Sequence, residues 1–170
     1  FPSVSVGWNV TDEEFMSNLE PVSTLKVRAS YGTVGNNNIG NYTQYATVST
    51  TTNAIFGSTL APGASRTALW NTSLGWETTK SVDVGLDLGL FDERISLVYD
   101  FYQKNTTNLL YSLAVPQESG YANFNGNIGE LKFWGHEFTL STRNTVGKVK
   151  WRTDFNISFN DNEVVALSDG

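Results

Sequence analysis

The sequence predicts an all-β chain, an antiparallel meander of about six long strands, each with an apolar or uncharged face and a polar face. Two observations carry this expectation. Two hairpin units, Ser81 to Lys104 and Trp134 to Asn160, alternate with period 2 over about ten residues per strand, and short connections alternate with long ones along the chain.

In chain order, Phe1 to Val10 reads as a strand with Val4, Val6, Trp8 and Val10 on one face. Thr11 to Thr24 connects, with a helical turn capped by Thr11 or Asp12. Leu25 to Gly32 is a second strand, setting Leu25, Val27, Ala29 and Tyr31 against Lys26, Arg28, Ser30 and Gly32. Thr33 to Thr78 follows, too long and too rich in Gly, Asn and Thr for an ordinary connection.

In the first hairpin a tight turn at Asp92-Glu93 sets Val84 opposite Phe101, Leu86 opposite Tyr99, Leu88 opposite Leu97 and Leu90 opposite Ile95. The other face pairs Ser81 with Lys104, Asp83 with Tyr102, Gly85 with Asp100 and Asp87 with Val98. A slip of one residue would mix the two sets, so the pattern itself specifies the register. A second long excursion, Asn105 to Glu130, leads to the second hairpin, which turns at Asn144 to Gly147. Its apolar face carries Trp134, Phe138, Leu140, Val149, Trp151, Phe155, Ile157 and Phe159. Its polar face is expected to place Glu137 opposite Asp154, with Arg152 on the diagonal to compensate the two carboxylates. The strand directions put the long excursions on one side of the sheet and the short connections on the other.

Composition excludes several classes. With 39% hydrophobic and 13% aromatic residues the chain is ordered material, and no apolar run reaches the length of a transmembrane helix. There are no cysteines, which excludes disulfides and thiolate metal sites, and a single histidine, His136, excludes a histidine-rich one. A net charge of −6 argues against nucleic acid as a partner. Gly32, Gly35 and Gly40 with Asn36, Asn37 and Asn38 match no phosphate-binding fingerprint. Asn-x-Ser/Thr triplets at Asn71 and Asn105 are what composition alone produces. No nucleophile and orienting base stand at recognisable spacing, so the chain is expected to be no enzyme, with no cofactor and no metal.

Two architectures fit the alternation. A soluble β-sandwich covers its apolar face with a second sheet, whereas a membrane barrel turns that face to lipid and its polar face to a wet lumen. Ten residues at about 3.3 Å each, tilted about 45°, span roughly 24 Å, which matches the apolar band of a membrane barrel. Short turns on one side with long loops on the other are also a barrel's asymmetry. Aromatics placed near strand ends, Trp8, Tyr31, Trp76, Phe91, Trp134 and Phe159, suit interfacial girdles, although aromatics are also simply good strand formers.

A longer set of residues carries a family resemblance. Phe1-Pro2-Ser3-Val4-Ser5-Val6-Gly7-Trp8, Glu14-Phe15, Leu25 through Gly32 and Gly35-Asn36 are followed in order by Asn71, Leu74-Gly75-Trp76-Glu77-Thr78-Thr79-Lys80 and Asp83 through Asp87. Tyr102, Lys104, Thr106, Pro116, Gly120, Asn125 through Glu130 and Gly135-His136-Glu137 continue the series. Over nearly the whole chain this resembles the barrel of SusC/RagA-type TonB-dependent outer-membrane transporters. The resemblance implies a multi-pass barrel of about 22 strands in the outer membrane of a Gram-negative bacterium. It implies energy coupling to the TonB complex through a plug region, a SusD-like surface lipoprotein as partner, and an oligosaccharide or peptide as ligand. Residues 1–170 are then expected to be a partial barrel in which plug, TonB box and the family's C-terminal strand are not recognisable. A fragment of this kind is not expected to insert alone, because its edge strands would leave unpaired backbone groups in lipid.

On that reading Asp83, Asp87, Asp100, Glu137, Arg152 and Asp154 face the lumen, while Val84, Leu86, Leu88, Leu97, Tyr99 and Phe101 face lipid, as does His136. The external loops hold the candidate ligand contacts Tyr42, Tyr45, Trp70, Tyr111, Tyr121 and Phe124, whose rings suit sugar faces or apolar peptide groups. The expected function is a barrel segment of an importer of oligosaccharides or similar nutrients. The alternatives are a soluble carbohydrate-binding β-sandwich and a passive porin.

Overall fold

The computed structural model describes residues 1–167. In chain order the strands are β1 (Ser3–Asn9), β2 (Val22–Asn36), β3 (Val48–Ser49), β4 (Asn53–Phe56), β5 (Thr59–Pro62), β6 (Ser65–Arg66), β7 (Glu77–Leu90), β8 (Ile95–Thr107), β9 (Leu110–Ala114), β10 (Asn123–Asn127), β11 (Glu130–Val146) and β12 (Lys150–Ala166). Six of them form one antiparallel sheet in the order β1-β2-β7-β8-β11-β12. That is chain order once the small strands of the two excursions are set aside. The small strands pair only among themselves, β3 with β6, β4 with β5 and β9 with β10. The chain divides into two compact units, one comprising 1–34, 79–106 and 131–165, the other built from 35–78 and 107–130 with the described residues from 166 on.

Register follows the hydrophobic pattern. Across β1 and β2, Val4 faces Tyr31, Val6 faces Ala29 and Trp8 faces Val27, while Ser5 faces Ser30 and Gly7 faces Arg28. Across β8 and β11, Leu97 faces Leu140, Tyr99 faces Phe138 and Phe101 faces His136. The predicted pairing of the first hairpin holds as well, since the Thr79 and Thr106 hydroxyls meet at 2.9 Å where that pairing brings them together.

The strands outrun the apolar pattern. β7 has 14 residues, β8 has 13, and β11 and β12 have 17 each. The ladder needs only backbone partners, so threonines, asparagines and charged residues continue it after the apolar alternation ends. As a consequence Tyr31, Trp134 and Phe159 stand well inside their strands rather than at the ends, where Trp8, Trp76 and Phe91 remain.

Both hairpin turns differ from expectation. The first occupies Phe91 to Arg94, with Phe91, Asp92 and Glu93 all in the left-handed region at φ 56°, 56° and 60°. Three such residues in succession are unfavourable. The turn is held by Arg94 N–H on Leu90 O (3.0 Å), Phe91 N–H on Pro21 O (2.8 Å) and Glu93 N–H on Ser23 Oγ (3.3 Å). In the second hairpin β11 runs through Val146 and the turn is Gly147 to Val149, so Val149 lies outside the strand. Thr145 moves the turn: its hydroxyl donates to Val149 O (2.8 Å) and accepts from Trp151 N–H (3.0 Å), closing the hairpin beyond Asn144. A turn placed about two residues later moves each cross-strand partner by four residues, so Asp154 meets Ser141, not Glu137.

Thr11 and Asp12 cap no helix. The connection holds single 3₁₀ turns at Val10–Asp12 and Glu14–Met16, capped at Asn9 and Glu13 without a side-chain bond, and the Thr11 hydroxyl instead accepts from Leu25 N–H at 3.4 Å.

The sheet has no second layer among the described residues. Val10 is the one buried hydrophobic side chain there, while Val4 and Val6 are 65% exposed, Trp8 51% and Phe155 56%. Globular domains bury such faces against another layer. Here the apolar side chains of the six strands are left largely open, with no layer over them among the described residues.

Candidate functional site: the polar wall and the two excursions

Period-2 alternation gathers the charged side chains at the middle of the sheet on the face opposite the apolar one, while Lys132, near a strand end, lies over Trp134. At its centre Arg28 of β2 donates through Nε to Asp87 Oδ2 (3.0 Å) and through Nη2 to Asp87 Oδ1 (2.9 Å), a two-pronged fork onto β7. The same Nη2 reaches Asp100 Oδ1 on β8 at 3.0 Å. The guanidinium therefore crosses a whole strand, and it does so over Gly85, where a Cβ would stand 2.7 Å from Arg28 Cζ. Gly85 is buried beneath this bridge.

The device recurs. Tyr102 of β8 donates to Asn160 Oδ1 of β12 at 2.9 Å across Gly135 of β11, where a Cβ would meet either atom at 2.8 Å. Near the first hairpin turn the Glu93 carboxylate folds over Gly89 and accepts from Thr24 Oγ1. In the first two cases a glycine in the middle strand opens a saddle through which next-nearest strands are tied, and in the third it admits a turn carboxylate that reaches β2.

The structure places all six predicted polar-wall residues on this face. Asp87 and Asp100 share Arg28, and Asp83 accepts from Ser30 at 3.3 Å. Glu137 stands directly across from Asp100. Asp154 accepts from Ser141 (2.6 Å) and from Arg152 (2.8 Å) on its own strand. The hub that sequence reasoning missed is Arg28; the period-2 pattern puts it on the polar face, but its reach to Asp100 depends on Gly85 lacking a side chain.

On the apolar face His136 sits among Tyr99, Phe101 and Phe138. Its ring centroid is 5.1 Å from that of Phe101, and its Nδ1 is 2.9 Å from the Tyr99 hydroxyl.

The six loop aromatics do not converge. Tyr42 and Tyr45 share one turn, closed by Tyr45 N–H on Tyr42 O at 2.9 Å. Trp70 carries the Arg66 guanidinium 5.0 Å above its ring. Tyr121 follows the 3₁₀ turn Gln117–Ser119, and Phe124 lies on β10 across from Leu113. Tyr111, on β9 across from Gly126, alone among them lines a cleft of about 270 Å³, with Asn38, Thr43, Ser112 and Asn125.

The two excursions are tied by carboxamides. Asn127 donates to Gly75 O and to Asn108 O, each at 2.9 Å, and accepts from Gly75 N–H at 2.6 Å. Asn71 donates to Asn125 O at 3.2 Å, and Glu77 accepts from Asn36 (3.4 Å) and from Leu110 N–H (3.2 Å). Asn127 thus pairs with Gly75 as a neighbouring backbone would.

Comparison with known proteins bears on the whole of this arrangement. The family described as "TonB dependent receptor-like, beta-barrel" matches residues 1–169. TonB-dependent receptor P3 of Formosa agariphila is 40% identical over 100% of this chain, which covers 17% of that protein. TonB-dependent receptor SusC of Bacteroides thetaiotaomicron is 34% identical, again over 100% of this chain and 17% of its own length. A solved structure of the RagAB peptide transporter superposes with a TM-score of 0.84 at 30% identity, covering 99% of this chain and 18% of that one. The chain therefore spans about a sixth of the length of the curated relatives it matches. It belongs to the TonB-dependent receptor β-barrel family.

Proposed function

We propose that this chain is a stretch of wall in an energy-coupled outer-membrane importer of oligosaccharides or similar nutrients in a Gram-negative bacterium. The observation that carries the reading is the open apolar face of a six-stranded antiparallel sheet with a charged, cross-braced face behind it. A lipid-facing wall needs the first and a hydrated lumen tolerates the second. Both β1 and β12 are edges of this sheet, so further strands complete the barrel, and a plug domain fills it. Asp83, Asp87, Asp100, Glu137, Arg152 and Asp154 then line the lumen, and the outer excursions take part in ligand capture with a SusD-like lipoprotein. TonB supplies the energy through the plug. No residue of this chain is assigned a bond-making step.

A soluble carbohydrate-binding sandwich finds no support in a sheet that has no second layer among the described residues. The test is deletion of the gene in its native host, followed by uptake measurements with and without the proton-motive force. Loss of uptake of one nutrient, reproduced by collapsing the force, is the expected result. Uptake that survives collapse of the force favours a passive porin.

A further inference from the structure

The cleft shared by the two excursions has a distinctive chemistry. One side is the bend of Asn38, Ile39, Gly40 and Thr43; the other is the β9–β10 ribbon with Tyr111, Ser112 and Asn125. No charged side chain lines it. Tyr111 is 58% exposed, and the residue opposite it in the ribbon is Gly126, buried and without a side chain. Among the described residues the side chains of Ser112 and Asn125 engage in no hydrogen bond, so a hydroxyl and a carboxamide stand beside an aromatic face.

We infer that this cleft is a subsite for a neutral sugar unit of a glycan. An ionic ligand taken out of water needs a charged partner, which the lining lacks. A ring of hydroxyls over one apolar face is matched by carboxamides and hydroxyls for the edge and by Tyr111 for the face. Because the two sides of the cleft come from different excursions, its shape depends on the ties between them. Asn127 does not line the cleft, but its three bonds fasten Gly75 and Asn108. It is a positioning residue for the subsite.

This inference rests on the importer reading, and the experiment separates the two. The full-length receptor is deleted in its native host, and the nutrients whose uptake is lost are identified from a panel of neutral glycans, anionic glycans and peptides. Loss of no nutrient overturns the importer reading itself. Loss restricted to an anionic glycan or to peptides leaves the importer standing and overturns the subsite. If a neutral glycan is lost, the receptor is restored as variants with outer-membrane levels measured alongside. Tyr111→Ala and Asn125→Asp then lower apparent affinity for that glycan about tenfold or more, Asn127→Asp lowers it as well, and Ile55→Ser on the β4–β5 ribbon leaves it unchanged. In hydrogen exchange, Asn127→Asp further loosens residues 71–75 and 108–110 together, whereas Tyr111→Ala does not. Normal glycan affinity in Tyr111→Ala and Asn125→Asp at normal levels would refute the subsite.

Discussion

Arg28 on β2 is bound to Asp100 on β8, two strands away, at 3.0 Å, and Gly85 of the intervening strand is what lets the guanidinium pass. Ordinary cross-strand pairs tie neighbours. This one braces three strands at once, and with Tyr102–Asn160 over Gly135 it stiffens the sheet on the side that no apolar layer supports.

Gly85→Val should therefore disturb more than local packing. Its side chain would occupy the path of Arg28, and the expected cost is about 1–3 kcal/mol, the range for forcing volume into a filled site. The heat or urea required to unfold the full-length receptor on a semi-native gel checks this, with Gly147→Ala, at an exposed glycine with open space around it and no left-handed backbone, as the reference change. A Gly85→Val receptor as resistant as the parent would show that the bridge is dispensable.

Removing Arg28 is expected to be milder. The pair is only partly buried, with Arg28 38% and Asp87 29% exposed, so Arg28→Met should lower stability by about 1 kcal/mol. The loss should shrink in the double variant Arg28→Met/Asp87→Asn, because a neutral amide leaves one fewer carboxylate without its partner. The same unfolding assay reads both.

Tyr99 and His136 form a polar pair on the face assigned to lipid, joined at 2.9 Å. Replacing one partner leaves the other without a hydrogen bond in an apolar setting, at about 1–3 kcal/mol. The double change Tyr99→Phe/His136→Phe removes both polar groups and should lie close to the parent. A double-mutant cycle in the receptor gives the coupling directly, and strictly additive single effects would contradict a lipid-facing pair.

Charge on the same face should obstruct assembly. Leu86→Arg or Leu97→Lys is expected to cost roughly 2 to 4 kcal/mol if the position lies near the membrane midplane. Immunoblots of outer-membrane fractions from cells expressing full-length variants should show depleted receptor. Placing Lys at Thr139, on the polar face across from Val98, should leave the level unchanged.

By itself the 170-residue chain should not behave as a soluble domain. Its uncovered apolar face and two free sheet edges favour association. Gel filtration without detergent is expected to give aggregate. A monomer with a cooperative thermal transition would oppose the membrane reading.

Much of this was legible in the residues. The run Val84, Leu86, Leu88 against Leu97, Tyr99, Phe101 specifies both face and register, and the structure keeps them, because period 2 admits only one pairing that keeps the faces separate. What was not legible depends on individual side-chain contacts, some within a few residues and some remote in sequence. The second turn moved from Asn144 to Gly147 onto Gly147 to Val149 because the Thr145 hydroxyl closes the hairpin, and that carried Asp154 from Glu137 to Ser141. Arg28 as a hub and Asn127 as a clasp follow from what stands opposite a glycine and beside Gly75, which spacing along the chain does not reveal. Loop aromatics such as Tyr42 and Trp70 share aromatic character with Tyr111 but not its place in the cleft.

The central claim is that one face of this sheet meets lipid and the other water, and single-cysteine labelling tests it most directly. The chain has no cysteines of its own, so probes at Leu88, Leu97 and Phe138 can be compared with probes at Asp83, Thr139 and Ser158 in a full-length receptor cleared of others. In intact outer membranes the first set should resist a water-soluble maleimide, and a fluorophore there should be quenched by brominated lipid. The second set should show neither lipid quenching nor the same protection. Apolar-face positions that react with the water-soluble reagent, or that are shielded from water and lipid alike, would contradict the account.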